Sequence, residues 1–449
     1  MRKSTTFWLI SVFLQHQKYK YISMMYNKWH ILVCFCCATL VSSCVRNQFN
    51  LERYEDIIQE MSPVDNVDVD HDWQLITTKT LMVDLYGLED IERVQILTDN
   101  PVVNDQATIL GEAYVEDKTS IFMSVSYPDL QETFYAAAID SEGRYTIVKF
   151  DLDDSSVVDF DNPVASKAKV GGYYQVQSFS YLFEEEYPEA GDYDYNDVVV
   201  HLSMRRTAPR VVRLSVKLNA VGATQQLAFA INLSGFKASD IAKAEAEDGA
   251  SFDNVSGVDF PDQMRIIMKQ KDLLLTGLSQ EAVLNIFADA HWATGDKLST
   301  DYGVMTRSLY NVTYQNDDTH RTFIPREITY VLTFKDGVDL NMLSLGKFDP
   351  FIIKGYNSAN WEVHTYAYHN SKVLFAYPGQ NIVSLPWALS VPTSNFRWPL
   401  HAVKLGGRKE GASFGAYHTF DHSFGEWAED KDDATDWYLY PDQSEVYNK

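Results

Sequence analysis

A mainly β protein of two sandwich-like domains, the second larger and carrying a few helical inserts, is predicted by three observations. Tyr 27, Phe 24 and Trp 9 give an aromatic share of 13%, and aromatics suit a pleated, half-buried surface. Apolar residues alternate with polar ones in short runs along most of the chain, which turns one face inward. No βαβ alternation and no internal repeat interrupts those runs. A length of 449 residues is enough for two or three domains. With 45% hydrophobic and 22% charged residues, the chain can bury an ordinary core.

The first domain is expected over 73–150. Ile121, Met123 and Val125 alternate with Phe122, Ser124 and Ser126, and Tyr127-Pro128 closes the run. Thr133 to Ile139 and Tyr145 to Phe150 flank Ser141-Glu142-Gly143, a hairpin pattern with a glycine in its turn. The acidic stretch 151–169, with Pro163, reads as a linker. The second domain, 170–449, opens on the clearest alternation in the chain: Val212, Leu214, Val216 and Leu218, then Leu227, Phe229, Ile231 and Leu233. A turn near Gly222 would make these two a hairpin. Ile328, Tyr330, Leu332 and Phe334 form a third strand, ended by Asp336-Gly337. Leu284, Phe287, Ala288 and His291 fit one face of a helix capped near Ser279, and Ser239 to Glu247 suits another.

The N-terminus reads as an export signal. Ile31 to Leu40 is a short apolar run, preceded by Lys28 and followed by Val41-Ser42-Ser43-Cys44. It is too short to span a bilayer and has signal-peptide flanks. The sequence resembles a lipobox, which implies a signal peptide over 1–43, cleavage before Cys44 and lipidation of that cysteine. A leader from Met1 is unusually long, so the expected start is Met24 or Met25. Residues 44–72 read as a polar tether. All four cysteines (Cys34, Cys36, Cys37, Cys44) lie in or beside the leader, so the folded body has no disulfide and no cysteine ligand. Val45 is not the Asp that retains lipoproteins in the inner membrane, which fits the outer membrane; Val45-Arg46-Asn47-Gln48 carries no acidic surface-export signal.

The formal charge of −24 argues against nucleic acid as a partner. The leader holds five basic residues and no acid, so its removal leaves the body more acidic still. The acids concentrate in one place. Gly191-Asp192-Tyr193-Asp194-Tyr195-Asn196-Asp197 precedes an apolar strand, and Glu184-Glu185-Glu186 lies just upstream. Crowded carboxylates repel unless a cation sits between them, and a hard cation takes oxygen ligands. Two strand residues advance about 6.6 Å, whereas Ca²⁺–oxygen bonds are about 2.4 Å. The loop must therefore curl, which Gly191 permits. The Asp/Asp/Asn spacing matches the start of an EF-hand, but Asp197 stands where that loop needs Gly, and Ser203 where it needs Glu. The expected set is a β-type Ca²⁺ site of Asp192, Asp194, Asn196 and Asp197, completed by Glu184 or Glu185.

Tyr181-Leu182-Phe183-Glu184-Glu185, the Asp-Tyr-Asp-Tyr-Asn-Asp-Val-Val run, Asp349 to Ile353, Trp361 to His364, Leu385 to Ala388 and Tyr417 through Trp427 together make the last three-fifths of the chain resemble the LruC-domain family of exported bacterial proteins. The resemblance implies a lipoprotein with a C-terminal β domain of no established activity, typical of gut and oral Bacteroidota. Many members have Asp or Glu-Asp after the Phe-Glu pair, where this chain has Glu184-Glu185-Glu186.

Enzyme-like patterns are present but lack their contexts. Gly411-Ala412-Ser413-Phe414-Gly415 fits a nucleophile elbow, yet that elbow needs a parallel sheet. His418 and His422 have helical zinc spacing without the general-base Glu. No catalytic residue is assigned. The expected function is non-catalytic: an outer-membrane lipoprotein, held to the membrane through Cys44, with its β domain stabilised by Ca²⁺, acting in adhesion or surface assembly on a protein or glycan ligand. The alternative is a glycan-binding accessory of polysaccharide uptake, stacking sugars on Trp292, Trp361, Trp387, Trp398, Trp427 and Trp437; a glycoside hydrolase is a third reading, requiring a carboxyl pair in a cleft.

Overall fold

The structure is a computed structural model. It describes residues 63–64, 67–68, 70–152, 156–171, 175–187, 191–252, 272–295, 308–354, 361–365, 385–407 and 415–448. The leader, Cys44 and 411–414 of the Gly-x-Ser-x-Gly run lie outside these residues. The described part is mainly β, as the aromatic content and alternation predict, and falls in one compact unit, Ile58–Lys449.

Eight strands build the first sandwich: β1 (Ile76–Asp84), β2 (Ile91–Leu97), β3 (Ile109–Tyr114), β4 (Ser120–Pro128), β5 (Thr133–Asp140), β6 (Arg144–Asp151), β7 (Val157–Val158) and β8 (Ala165–Lys169). One sheet runs β4-β1-β7 and the other β3-β2-β5-β6-β8. Leu81, Val83, Ile121, Met123 and Val125 from the first meet Val94, Ile96, Phe134, Ala136 and Ala138 from the second in one core. β5 and β6 form the expected hairpin around Gly143, whose φ of +72° suits glycine. The segment read as a linker, 151–169, instead supplies β7 and β8. Asp159 and Asp161 lie between these two strands, and Val158 is buried in the core.

The second sandwich contains β9 (Ser178–Phe183), β10 (Val198–Ala208), β11 (Val211–Ala220), β12 (Leu227–Lys237), β13 (Ile241–Ala246), β14 (Leu274–Thr276), β15 (Glu281–Phe287), β16 (Leu309–Tyr310), β17 (His320–Arg321), β18 (Arg326–Phe334), β19 (Phe348–Lys354), β20 (Trp361–His364) and β21 (Ala388–Val391). A six-stranded sheet, β13-β18-β11-β10-β9-β21, faces a five-stranded sheet, β14-β15-β12-β19-β20. Phe183 meets Phe229 across the gap at 6.1 Å between centroids, and Phe236 meets Phe334 at 5.6 Å.

Three local expectations are overturned here. β11 and β12 belong to different sheets, so no hairpin joins them at Gly222. The helix expected around Leu284 is strand β15, between β14 and β12; buried on both faces, such a strand reads as an unbroken apolar run that imitates helical spacing. The second expected helix is β13, where pairing with β18 overrides the helix-favouring Ala and Lys residues. The α-helices among the described residues are short: α1 (Ala290–Ala293), which contains His291, and α2 (Phe424–Glu429). α2 starts at a capping box in which Ser423 Oγ accepts from Glu426 N while the Glu426 carboxylate accepts from Ser423 N.

The chain end folds into an aromatic module beside β9. Tyr193, Tyr195, Phe396, Trp398, Tyr417, Phe424, Trp427 and Trp437 share its core with Val64 and Trp73. The 44–72 tether is thus shorter than its polarity suggests. Asp68 N donates to Ala428 O, and His71, 1% exposed, lies against Trp73 and Trp427. The two sandwiches meet at Arg206. Its guanidinium donates to Asn341 Oδ1 and packs 5.0 Å from the Tyr114 ring, and its backbone N donates to Glu112 Oε2. No described helix is long and apolar enough to cross a membrane.

Candidate metal centre

β9 and β10 pair antiparallel with Phe183 opposite Val198, so residues 184–197 connect neighbouring strands and the register sets Glu184 across from Asp197. The connection curls. Tyr193 and Tyr195 both adopt left-handed backbone, with φ of 59° and 51°. Each tyrosine is buried in the aromatic module, and Tyr195 OH donates to Pro386 O at 2.6 Å. Burying the two tyrosines turns the intervening polar residues back toward the mouth of the β9–β10 pair.

The structure divides the predicted ligands into two groups. Asp194 is 1% exposed, and its oxygens accept from Asn196 N at 3.2 Å and Ala402 N at 2.9 Å. Asn196 Nδ2 donates to Pro399 O at 3.1 Å. These two residues fasten the aromatic module to the loop. Asp192 and Asp194 form a cluster with His401, their ligand atoms all within 4.8 Å of one another. Burial lowers the His401 pKa, opposed by the Asp192 charge.

The second group is Glu184, Glu186 and Asp197, again with one oxygen from each inside 4.8 Å. Glu184 Oε1 accepts from Tyr195 N, and Asp197 Oδ2 accepts from Glu185 N. Glu185 Oε1 accepts from Thr224 N at 3.3 Å. The remaining oxygens, Glu184 Oε2, Glu185 Oε2, Glu186 Oε2 and Asn196 Oδ1, are buried with no donor from the rest of the protein. Glu186, which the sequence reading passes over, therefore belongs to the group. Only its position in the Glu184-Glu185-Glu186 run signalled it.

Two glycines make room for this arrangement. A Cβ at Gly191 would overlap Glu184 Oε2 and lie 3.2 Å from Glu186 Oε2. A Cβ at Gly222 would overlap Asn196 Oδ1 and lie 2.8 Å from Asn196 O, while Gly222 N donates to that same carbonyl at 2.9 Å. Gly222 thus serves close approach of β11's end to the acidic loop. Gly222→Ala is expected to cost about 1–3 kcal/mol by overpacking, read as a fall in the thermal midpoint; an unchanged midpoint would show that the approach is not tight.

Electrostatically the group is strained. Burial, then the Asp194 and Asp192 charges, pushes the Glu184 carboxyl well above its ordinary value. Burial followed by Glu185 does the same to Asp197, and burial followed by Asp192 to Asp194. Glu185 rises to about 7, from burial and then Glu186. Glu186 and Asp192 are raised as well, chiefly by burial. A group of this kind either keeps its protons or takes up a cation, since unpaired buried carboxylates are costly. The donors are all oxygens, carboxylate with an amide carbonyl beside them. That set fits a hard divalent cation of the calcium type and does not favour one that prefers nitrogen or sulfur.

Other predicted features fall elsewhere. Trp292, Trp387, Trp398, Trp427 and Trp437 are all buried, so they form no sugar platform; the Trp361 side chain lies outside the described residues. His418 and His422 sit on a hairpin of β22 (His418–Thr419) and β23 (His422–Ser423), not on a helix. His422 bonds Asp436 at 2.8 Å, and His418 bonds Gly415 O.

Comparison with known proteins gives a family without an assigned activity. No curated protein matches. A crystal structure described as a "Putative lipoprotein from Bacteroides ovatus" is similar over 80% of this chain and 99% of its own, with 12% identity and a TM-score of 0.46. The matching family model bears a different name from the LruC family that the motifs resemble. It spans 210–438, from just ahead of β11 to the aromatic module, and so includes Gly222 and His401 but not the acidic loop. Covering half of the sequence, that match shows that the chain belongs to the family called Domain of unknown function (DUF4842).

Proposed function

We propose that this protein is a non-catalytic cell-envelope lipoprotein, held through lipid on Cys44, whose larger β domain is completed by calcium and serves adhesion or surface assembly. The observation that carries the calcium reading is the convergence of Glu184, Glu186 and Asp197 with buried oxygens that no protein donor reaches. Calcium supplies positive charge that lets those oxygens stay ionised inside the fold. The residues themselves do the rest: Gly191 leaves the space, Tyr195 N orients Glu184, and Glu185 N orients Asp197. The depth of the group supports a non-catalytic role. Glu184, Asp194 and Asp197 are 1%, 1% and 6% exposed, too deep to exchange protons with a substrate held in solvent.

The loop's position supports a structural task. It ties the second sandwich to the aromatic module through Tyr193, Asp194, Tyr195 and Asn196. Ordering this junction would stiffen the surfaces the module presents. Cells producing Cys44→Ala are expected to lose the protein from the membrane fraction and to lose calcium-dependent attachment. Retention of the variant in the membrane pellet would overturn the anchor, and attachment indifferent to calcium would overturn the adhesive role.

A further inference from the structure

Beside Glu184, Glu186 and Asp197 lies a second cluster with a different set of donors. Asp192, Asp194 and His401 bring one ligand atom each inside 4.8 Å of the others, and none of the three belongs to the first group. His401 Nδ1 stands 3.8 Å from Asp194 Oδ2. Ligands held tetrahedrally at about 2.0–2.1 Å from zinc lie roughly 3.4 Å apart, so an ion would draw this pair together by only a few tenths of an ångström. The Asp194 oxygens each accept one backbone donor, from Asn196 and Ala402, and a carboxylate oxygen has a second lone pair to offer. The His401 side chain is 40% exposed, so the cluster opens to solvent on that side.

A second imidazole stands beside the first. The His320 ring lies 5.8 Å from the His401 ring between centroids, and two imidazoles on one tetrahedral ion lie about 5–6 Å apart. His320 Nδ1 is bonded to the Asp317 carboxylate at 3.1 Å. An ionised carboxylate only accepts, so Nδ1 carries the hydrogen and Nε2 keeps the lone pair that a metal takes. A carboxylate behind the imidazole is the usual support of a metal-bound histidine. Asp317 is itself fixed, accepting from Thr319 N at 2.7 Å and from His320 N at 2.8 Å. This support comes from outside the cluster and owes nothing to its acids.

The segments carrying these residues are joined without an ion. His401 N donates to Val312 O at 2.7 Å, two residues past β16, and β16 pairs with β17, which holds His320. Ala402 N, next in the chain, holds Asp194 at 2.9 Å. Two imidazoles and two carboxylates select a different ion from an all-oxygen set. Imidazole suits zinc and its transition-metal neighbours, whereas calcium and magnesium take oxygen.

We infer that Asp192, Asp194, His401 and His320 form a second metal site, for a zinc-class ion, separate from the calcium group and independent of it. Zinc chloride is titrated calorimetrically into the full chain in excess calcium, with the cysteine thiols alkylated so that the leader offers no sulfur ligand. Zinc is expected to bind with a Kd of about 1 μM or tighter, and magnesium at least about a hundredfold more weakly. His401→Ala should weaken zinc binding at least about tenfold with an unchanged melting curve, since that side chain is partly exposed. His320→Ala should do the same and stands in if His401→Ala melts early. His422→Ala, on the β22–β23 hairpin, should leave zinc affinity unchanged. Glu186→Gln should weaken calcium and spare zinc, so failure of one site is read apart from failure of the other. The inference is overturned by no saturable zinc binding, by full affinity in either folded variant of His401 or His320, or by loss of zinc affinity in Glu186→Gln.

Discussion

Removal of calcium by EDTA is expected to lower the melting temperature of this protein by several degrees, with full recovery on adding calcium in excess. A ligand that binds only the folded state stabilises it by about 4 kcal/mol at a thousandfold excess over its Kd. For a chain of this size, that energy appears as a shift of several degrees. The dependence on pH adds a sharper signature. In the ion-free protein, Glu184, Asp194 and Asp197 hold their protons more tightly than the unfolded chain does, and Glu185 titrates at about 7. The folded pKa values are raised, so the stability contributed by these protonated groups is full below about pH 4, where unfolded carboxyls titrate. It is lost as pH rises through the folded values, including that of Glu185 near neutrality. A bound calcium would require the ionised form and would therefore compete with protons. The ion-free midpoint should fall between pH 5 and 8, while the shift produced by calcium should widen over the same range. Differential scanning calorimetry at pH 5 and pH 8, with calcium and with EDTA, reads both effects. Superimposable curves at both pH values would remove the metal from the account.

Glu184→Gln is expected to act in opposite directions with and without calcium. The amide keeps an oxygen to accept from Tyr195 N and gains an NH₂ that can donate to Glu186, whose Oε2 lacks a donor. It is also neutral without holding a proton, as the buried Glu184 carboxyl must among like charges in the ion-free protein. Keeping that proton costs free energy as pH rises, so at pH 8 the EDTA-treated variant should melt above EDTA-treated wild type. In calcium the order should reverse, because one of three converging oxygens has lost its charge. A variant that is less stable than wild type in both conditions would make Glu184 an ordinary structural acid.

Much of the fold is legible in the sequence. Period-two runs mark β4, β5, β6, β11, β12 and β18, and the glycine in Ser141-Glu142-Gly143 marks a turn. Partnership is less legible, because an alternating run says which face is buried and not which strand lies beside it. Val212 to Leu218 and Leu227 to Leu233 therefore read as a hairpin although they lie in facing sheets. The run around Leu284 fails differently: a strand covered on both faces loses its alternation. Polarity also misleads at the start of the body. The stretch through Asp72 looks like a solvated tether, yet His71 is buried between Trp73 and Trp427, a docking 356 residues distant in sequence that no local pattern announces.

At the site, the acid run announces the location and the need for a curl, and the left-handed tyrosines supply that curl. The division of labour is what sequence spacing misses. Asp194 is engaged by backbone donors of Asn196 and Ala402, the latter 208 residues away. Glu186, two residues from Glu184, joins the converging oxygens because the chain turns at the end of β9. Gly222 gains its role only from the approach of Asn196. Each of these depends on long-range packing.

A divalent cation is expected among Glu184, Glu186 and Asp197. A crystal structure grown in excess calcium, with anomalous diffraction collected at a wavelength where calcium scatters, tests it most directly. An anomalous peak is expected about 2.3–2.6 Å from an oxygen of each of the three residues. A featureless map there, with the carboxyls joined to one another through shared protons, would contradict it.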